Sequence, residues 1–143
     1  MRAHLQALQT LLAPLGYPVY MFHAEGRSDV EVPPVPYLVL RGPSWADPDD
    51  EPVCGPGANL DARVMVTATA STVEGALVVL ARVRNHLMPH TVLPAAGRHA
   101  TLTRHRSEVE PQVDPDLRLP GSDRHPGFGV DSYRLHSVPK EGS

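Results

Sequence analysis

The first residues of the chain have the hydrophobic spacing of an amphipathic helix. One apolar stripe is formed by leucines that recur at intervals of three and four residues, namely Leu5, Leu8, Leu12 and Leu15. Pro14 has no backbone N–H group and cannot lie inside a helix, so regular helix is expected to stop near Leu12 or Ala13. Gly16 then provides the turn that leads out of the helix.

Three strands are predicted in the next part of the chain. The segments YPVYMF, 17–22, and PYLVLRG, 36–42, are short and apolar, and the second is apolar enough to be covered on both faces. The segment NLDARVMVTATA, 59–70, alternates between apolar residues and a second set that is polar except for Met65. One face of this long strand therefore packs on the core and carries Leu60, Ala62, Val64, Val66, Ala68 and Ala70.

A second helix follows the long strand directly, in STVEGALVVLARVRNHL, 71–87. Ser71 and Glu74 have the spacing of a capping box at its start, and Pro89 marks its end. Helical spacing predicts a buried stripe made of Leu77, Leu80, Val83 or Arg84, and Leu87.

Two further strands are predicted after this helix. The segment HATLTRHRSEVE, 99–110, is polar on both faces, which indicates an edge strand or a strand that lies against another chain. The closing segment GFGVDSYRLHS, 127–137, changes the side of its apolar residues, and this predicts a bulge around Asp131 and Ser132.

The predicted order of elements is α-β-β-β-α-β-β, with more strands than helices. This order favours an α+β fold, in which two α-helices pack on one face of a mainly antiparallel or mixed β-sheet. Residues 1–138 are expected to form one domain and 139–143 a flexible tail. The 16 prolines concentrate in two segments, which predicts long proline-rich loops at about 41–58 and 111–126.

Composition excludes several classes of protein. The net charge of −3 argues against general binding of nucleic acid. Cys54 is the single cysteine, so an internal disulfide and a cysteine-rich zinc site are excluded, and the chain is expected to fold in a reducing cytoplasm. Neither a signal peptide nor a membrane-spanning segment is expected, because polar residues interrupt every apolar run.

Charge is distributed unevenly along the chain. Eight acidic residues against two arginines lie between Glu25 and Asp61, whereas six arginines against Glu74 alone lie between Arg63 and Arg106. These segments could form solvated faces of opposite sign. They could also meet between neighbouring copies, because complementary charge favours one docking register.

No catalytic, cofactor-binding or metal site is expected. His86 and His90 have the spacing of a zinc-protease helix, but Pro89 interrupts it and the glutamate of that motif is missing. A serine–histidine–aspartate set drawn from the last strand would need Asp131 and Ser132, which are adjacent and point to opposite faces. The glycines of GFG, 127–129, are expected to relieve crowding or to form a bulge.

Four segments in this order resemble the tail terminator proteins of long-tailed bacteriophages, particularly phages of high-GC actinobacterial hosts. The resemblance is carried by MRAHLQALQTLLAPLGYPVYMF, PYLVLRG, DARVMVTATASTVEGALVVLARVRNHL and HPGFGVDSYRL. Together they span most of the chain. None of them is a catalytic signature, so the resemblance is specific only through the order and spacing of the four segments. The long segments 43–58 and 111–126 match no motif of the family.

The resemblance implies a structural virion protein with the fold predicted above. Such proteins form a hexameric ring at the head-proximal end of the tail, stop polymerisation of the tail tube and join the tail to the head-side connector. The implied partners are other copies of the chain, the major tail tube protein and the connector or stopper protein. DNA would pass through the lumen without specific binding, and assembly would take place in the host cytoplasm.

Two groups of charged residues are candidates for contacts in such a ring. The acidic run is expected to face the lumen or a partner, and comprises Asp47, Asp49, Asp50 and Glu51. The basic candidates for intersubunit or connector contacts are Arg82, Arg84, Arg104 and Arg106. Alternative interpretations are another head–tail connector or completion protein, or a small ligand-binding α+β domain.

Overall fold

The α+β fold predicted from the hydrophobic pattern is confirmed. A computed structural model describes residues 2–24, 30–42, 59–87, 90–95 and 97–140. Within these ranges one six-stranded mixed sheet carries two α-helices. The acidic run 47–51 and Cys54 lie outside the described residues.

The elements follow the predicted order, with one additional short strand, β4, between the second helix and the next long strand. The helices are α1 (Arg2–Leu12), which a 3₁₀ turn (Ala13–Leu15) extends, and α2 (Val73–Leu87). The strands are β1 (Val19–Met21), β2 (Tyr37–Arg41), β3 (Leu60–Ala70), β4 (His90–Leu93), β5 (Arg98–Val113) and β6 (Gly127–Pro139). Their order across the sheet is β1-β2-β3-β6-β5-β4, and only β1 and β2 are parallel to each other.

The main hydrophobic core lies between the two helices and one face of the sheet. Helix α2 packs on β3, β6 and β5, and α1 contacts β1, β2 and β4. The predicted alternation of β3 is confirmed, because every residue assigned to its core face is buried; Thr69 on the opposite face is buried as well. The largest side chains of this core include Leu5, Leu8, Leu12, Leu38, Leu40, Leu80, Leu102, Tyr133 and Leu135.

A second, smaller core covers part of the opposite face of the sheet. It contains Tyr37 and Val39 from β2, together with Val32, Leu117 and Leu119 from the connecting segments. The loop predicted from residue 111 begins only after Val113, where β5 ends. Its two buried leucines anchor the remainder to the sheet.

The start of α2 differs from the prediction. Thr72, not Ser71, caps the helix, because its Oγ1 accepts a hydrogen bond of 2.9 Å from the N–H group of Gly75. With the helix beginning at Val73, the buried positions are Ala76, Val79, Leu80, Val83 and Leu87. The predicted burial of Leu77 is therefore wrong, and this side chain is 48% exposed.

Two glycines allow α2 to approach β6 closely, which confirms the interpretation that they relieve crowding. A Cβ atom on Gly127 would lie 2.5 Å from backbone atoms of Thr72, closer than such atoms pack. A Cβ on Gly129 would lie 2.8 Å from Cδ1 of Leu80. Larger residues at these positions would push the helix away from the sheet.

The bulges of the sheet lie in β5, not in β6 as predicted. Strand β6 pairs with β3 in one continuous register from Gly127 to Ser137, whereas β5 shifts its register against β6 three times between Arg104 and Gln112. Strand β4 pairs with β5 only as far as Thr103. Among the described residues no strand pairs with this edge of β5 beyond that point, so the prediction of an edge strand holds for residues 104–113.

Candidate interaction surfaces

Arg84 forms a partly buried ion pair inside the layer between α2 and the sheet. Its Nε and Nη2 atoms donate hydrogen bonds of 2.6 and 2.9 Å to the two carboxylate oxygens of Asp131, which is fully buried. The hydrogen bond to Asp131 raises the pKa of Arg84 above its usual value. Arg84 was predicted to make an intersubunit or connector contact, but its guanidinium is occupied within the fold.

Arg104 and Tyr133 lie around this ion pair. The Nη2 atom of Arg104 is 3.9 Å from Oδ1 of Asp131, and its side chain is 34% exposed. Tyr133 is completely buried, its hydroxyl has no hydrogen-bond partner in the described part of the chain, and burial raises its pKa. Asp131 is thus shared by two arginines at the border between the core and solvent.

His86 connects α2 to α1, and Arg82 connects α2 to the segment between the 3₁₀ turn and β1. Arg82 donates a hydrogen bond of 2.8 Å from Nη1 to the hydroxyl of Tyr17, and Nε2 of His86 is 2.8 Å from the carbonyl oxygen of Leu11. Both side chains are exposed, and both lie on the flank of α2 that faces α1. This flank is opposite the one that carries Arg84.

The face of the sheet that is turned away from the helices carries an exposed group of charged residues. Arg134 of β6 donates hydrogen bonds of 3.0 and 2.7 Å to the carboxylate of Asp61, and these hold the pKa of Asp61 below its usual value. Next to this pair, Glu108 binds Arg106 at 3.1 Å and Arg63 at 3.2 Å. We call these five residues the charged sheet face.

The four candidate arginines therefore do not form one patch. Arg104 points to the helix side of the sheet, whereas Arg106 lies on the charged sheet face, because the bulge between them shifts the register by one residue. Arg82 and Arg84 lie on opposite flanks of α2. The exposed fraction of the side chain is 59% for Arg106, against 34% for Arg104 and 25% for Arg84.

A buried polar cluster that was not predicted joins α1 to β5 and β6. Nε2 of His4 lies 2.9 Å from Oγ of Ser137, and Nε of Arg98 donates to the same Oγ at 2.6 Å. Burial lowers the pKa of His4 to about 4, and the charge of Arg98 adds to this effect. The sequence contains one signal for the cluster, since His4 precedes Leu8 by four residues and so shares its buried stripe.

A cleft of about 220 Å³ opens between the sheet and the smaller core. Its lining includes Tyr37, Val39, Thr67, Leu117 and Phe128. Pockets for small organic ligands usually measure about 300–1,000 Å³ and bring several polar groups together. This cleft is smaller than that range, so it gives little support to the alternative of a ligand-binding domain.

The described residues form neither a metal-binding cluster nor a membrane-spanning helix. No three histidine, cysteine, aspartate or glutamate side chains in these ranges come close enough to hold a metal ion together. Neither of the helices there has the length and hydropathy needed to cross a lipid bilayer.

Comparison with known proteins gives no family assignment. No protein-family model matches the chain, and no curated protein matches it significantly.

Proposed function

We propose that the chain is a structural virion protein that forms a ring on the end of a phage tail tube. The ring stops polymerisation of the tube and presents a surface to the head-side connector. The proposal takes its content from the resemblance of four ordered segments to tail terminator proteins. Under this proposal the chain acts in assembly of the virion and not in catalysis.

The observation that best supports an assembly role is the charged sheet face. Arg63, Arg106 and Arg134 are each about half or more exposed. Arg63 and Arg134 lie on the two central strands of the sheet, β3 and β6, and Arg106 lies on the neighbouring strand β5. Only Asp61 and Glu108 balance them within the group, so the face carries a net positive charge. A rigid surface of this kind suits a partner of opposite charge.

The same chain supplies a source of opposite charge. The segment from Glu25 to Asp61 holds eight acidic residues against two arginines. A ring needs a heterologous contact, in which one surface of a copy meets a different surface of the next copy. The charged sheet face on one copy would meet acidic residues of that segment on the next. Asp61 is part of the face and the run 47–51 is assigned to the lumen, so the acidic residues for this contact are Glu25, Asp29 and Glu31.

The acidic run 47–51 retains its proposed place at the lumen. A negatively charged wall would repel the DNA backbone, so that the genome could slide through without sticking. Charge reversal at Asp47, Asp49, Asp50 and Glu51 should slow or arrest DNA passage without preventing assembly of the ring. Unchanged DNA release from such particles would contradict this assignment.

The ring is tested by native mass spectrometry and by a tube-capping assay. A species of six times the chain mass of 15.5 kDa is expected once tail tubes are present, and added protein should limit the length of polymerising tail tubes. Tubes that grow to the same length with and without the protein would overturn the proposal. Co-sedimentation with empty capsids but not with tubes would instead support the alternative of a head–tail connector protein.

A further inference from the structure

The exposed edge of β5 is limited to a short window. Strand β4 occupies the edge as far as Thr103, where His90 is its last partner. At the other end Pro111 has no N–H group to donate to a neighbouring strand. Between these limits, residues 104–110 have backbone groups on this edge with no strand partner in the described chain. The centre of this window is Ser107.

The charges in the window have opposite signs on the two sides of Ser107. Its sequence is RHRSEVE, with Arg104 and Arg106 on one side of Ser107 and Glu108 and Glu110 on the other. If two copies of the strand pair antiparallel about Ser107, Arg104 lies opposite Glu110 of the second copy. Arg106 then lies opposite Glu108 of the second copy. Every charged pair in this register is attractive.

The side chains also lie on the faces that this pairing requires. Arg106 and Glu108 both belong to the charged sheet face, where they bind each other at 3.1 Å. Arg104 lies on the helix side, within 3.9 Å of Asp131, and the charge of Glu110 acts on Arg84 on the same side. Residues directly opposite in an antiparallel pair share a face, so each charged pair would meet on its own side of the sheet: Arg104 with Glu110 on the helix side, and Arg106 with Glu108 on the charged sheet face.

A polar atom at the centre of the window also has no partner within the chain. Oγ of Ser107 is buried and has no hydrogen-bond partner among the described residues. In a pairing centred on this residue, the two Ser107 side chains are direct cross-strand neighbours about 5 Å apart between their Cβ atoms. A hydrogen bond between the two hydroxyl groups would satisfy both.

We propose that the window 104–110 of β5 is a self-recognition site, through which two copies pair antiparallel about a two-fold axis at Ser107. Three observations give the same centre, Ser107. They are the limits set by β4 and Pro111, the order of the charges, and the hydroxyl without a partner. Pairing in this register ends at Glu110. Residues 111–113 of one copy would otherwise reach β4 of the second copy, so the pairing requires that the end of β5 bend away at Pro111, next to the last bulge of this strand.

This contact is different from the seam of the proposed ring. A two-fold contact uses the same surface on both copies and closes after two of them, whereas a ring requires two different surfaces. The dimer is therefore a state of the free protein, and it covers the exposed strand edge before a tube is present. The bulges in β5 discourage pairing with unrelated strands, and the charges select this one.

Complementary charge reversals test the pairing directly. The wild-type free protein should show twice the chain mass of 15.5 kDa by native mass spectrometry. The variants E108R/E110R and R104E/R106E each place like charges opposite each other, so self-association of either should weaken about a hundredfold or more. An equimolar mixture of the two should form a heterodimer.

A matched control separates this effect from a general effect of charge. D116R/D123R changes the net charge as much as E108R/E110R but lies in the exposed segment that connects β5 to β6. It should dimerise like the wild type. Thermal unfolding of each variant shows whether it is folded, and the mixing experiment detects pairing even when one variant is less stable.

A disulfide between the two copies tests the register. In a C54S background, S107C should form a disulfide-linked dimer on mild oxidation, because antiparallel neighbours have Cα atoms about 4.5–5.5 Å apart. T103C, which pairs with β4, serves as the control and should not cross-link. Absence of the S107C dimer would overturn the register.

The outcomes distinguish this proposal from the ring. A wild-type protein that stays monomeric at all concentrations, or a dimer that the charge reversals leave intact, overturns the two-fold pairing. Failure to limit tube length, with a charge-dependent dimer present, overturns the ring but leaves the pairing in place.

Discussion

At the scale of single residues, the layer between the helices and the sheet contains charged and polar side chains that depend on very few partners. The Asp131 carboxylate is fully buried and has two guanidinium groups within reach, of which only Arg84 binds it closely. His4 has a hydrogen bond on one ring nitrogen, and its Nδ1 atom has no partner among the described residues. Such groups make stability sensitive to a single substitution or proton.

Replacement of Arg84 should destabilise the fold strongly. R84M keeps the aliphatic stem but leaves the Asp131 carboxylate buried without its bidentate partner, a change that typically costs about 3–5 kcal/mol. We expect about 3 kcal/mol because Arg104 lies close enough to compensate in part. Urea unfolding at pH 7 measures this, with R82M on the opposite flank of α2 as the control, for which a loss below about 1 kcal/mol is expected. Equal losses for the two variants would contradict this account of the ion pair.

Protonation of His4 should destabilise the fold at acid pH. Its pKa is about 4 in the folded chain and about 6.5 when unfolded, so between these values the unfolded state binds the extra proton. Stability from this residue is complete above pH 6.5 and is lost as the pH falls towards 4. The loss is up to about 3 kcal/mol, at 1.4 kcal/mol per pH unit.

The variant H4Q isolates this effect, since glutamine is polar but does not titrate. Unfolding free energies of wild type and H4Q should converge as the pH falls from 7 to 4. Parallel pH profiles for the two proteins would show that His4 does not titrate in this way.

At the scale of elements, the hydrophobic pattern was sufficient to predict α1 and the core face of β3. Both are long enough for spacing to define a face, and the structure confirms both. The pattern failed at the start of α2. The helix is capped by Thr72 and not by Ser71, and the buried residue in its first turns is Ala76 where Leu77 was predicted. The short strand β4 was missed because four residues after Pro89 are too few for an alternation to be visible.

The candidate arginines show why the site was harder to predict than the fold. Simple alternation places Arg104 and Arg106 on one face of a strand. A bulge between them moves Arg106 to the opposite face. The partner of Arg84 is Asp131, 47 positions later in the chain. The local sequence of neither residue indicates this contact, because the contact depends on how α2 packs across β6.

The cap of α2 provides a direct test of the element boundary. T72A removes the hydroxyl that binds the N–H group of Gly75 and should cost about 1 kcal/mol of unfolding free energy. S71A alters an exposed side chain and should have little effect. Chemical denaturation of the two variants under identical conditions decides between them. A greater loss in S71A than in T72A would restore the capping box predicted from the sequence.

At the scale of the whole molecule, the fold presents two surfaces that can be altered separately. The exposed window of β5 lies at one edge of the sheet and carries charges of both signs. The charged sheet face lies on a broad surface and carries a net positive charge. Arg106 and Glu108 belong to both, whereas Arg63 and Arg134 belong only to the face. Variants at these two residues should therefore affect the proposed ring without affecting the proposed dimer.

R63E/R134E reverses the charge of the face and should abolish capping of tail tubes, because the acidic surface proposed to meet it would then be repelled. The mass of the free protein should stay that of a dimer, since neither residue lies in the window 104–110. R118E/R124E has the same change of net charge at exposed positions outside the face and should cap tubes normally. Tube-length distributions with each variant, measured by electron microscopy, check this prediction. Normal capping by R63E/R134E would show that the ring uses another surface. Loss of capping by both R63E/R134E and R118E/R124E would show that capping depends on the net charge of the protein and not on this face.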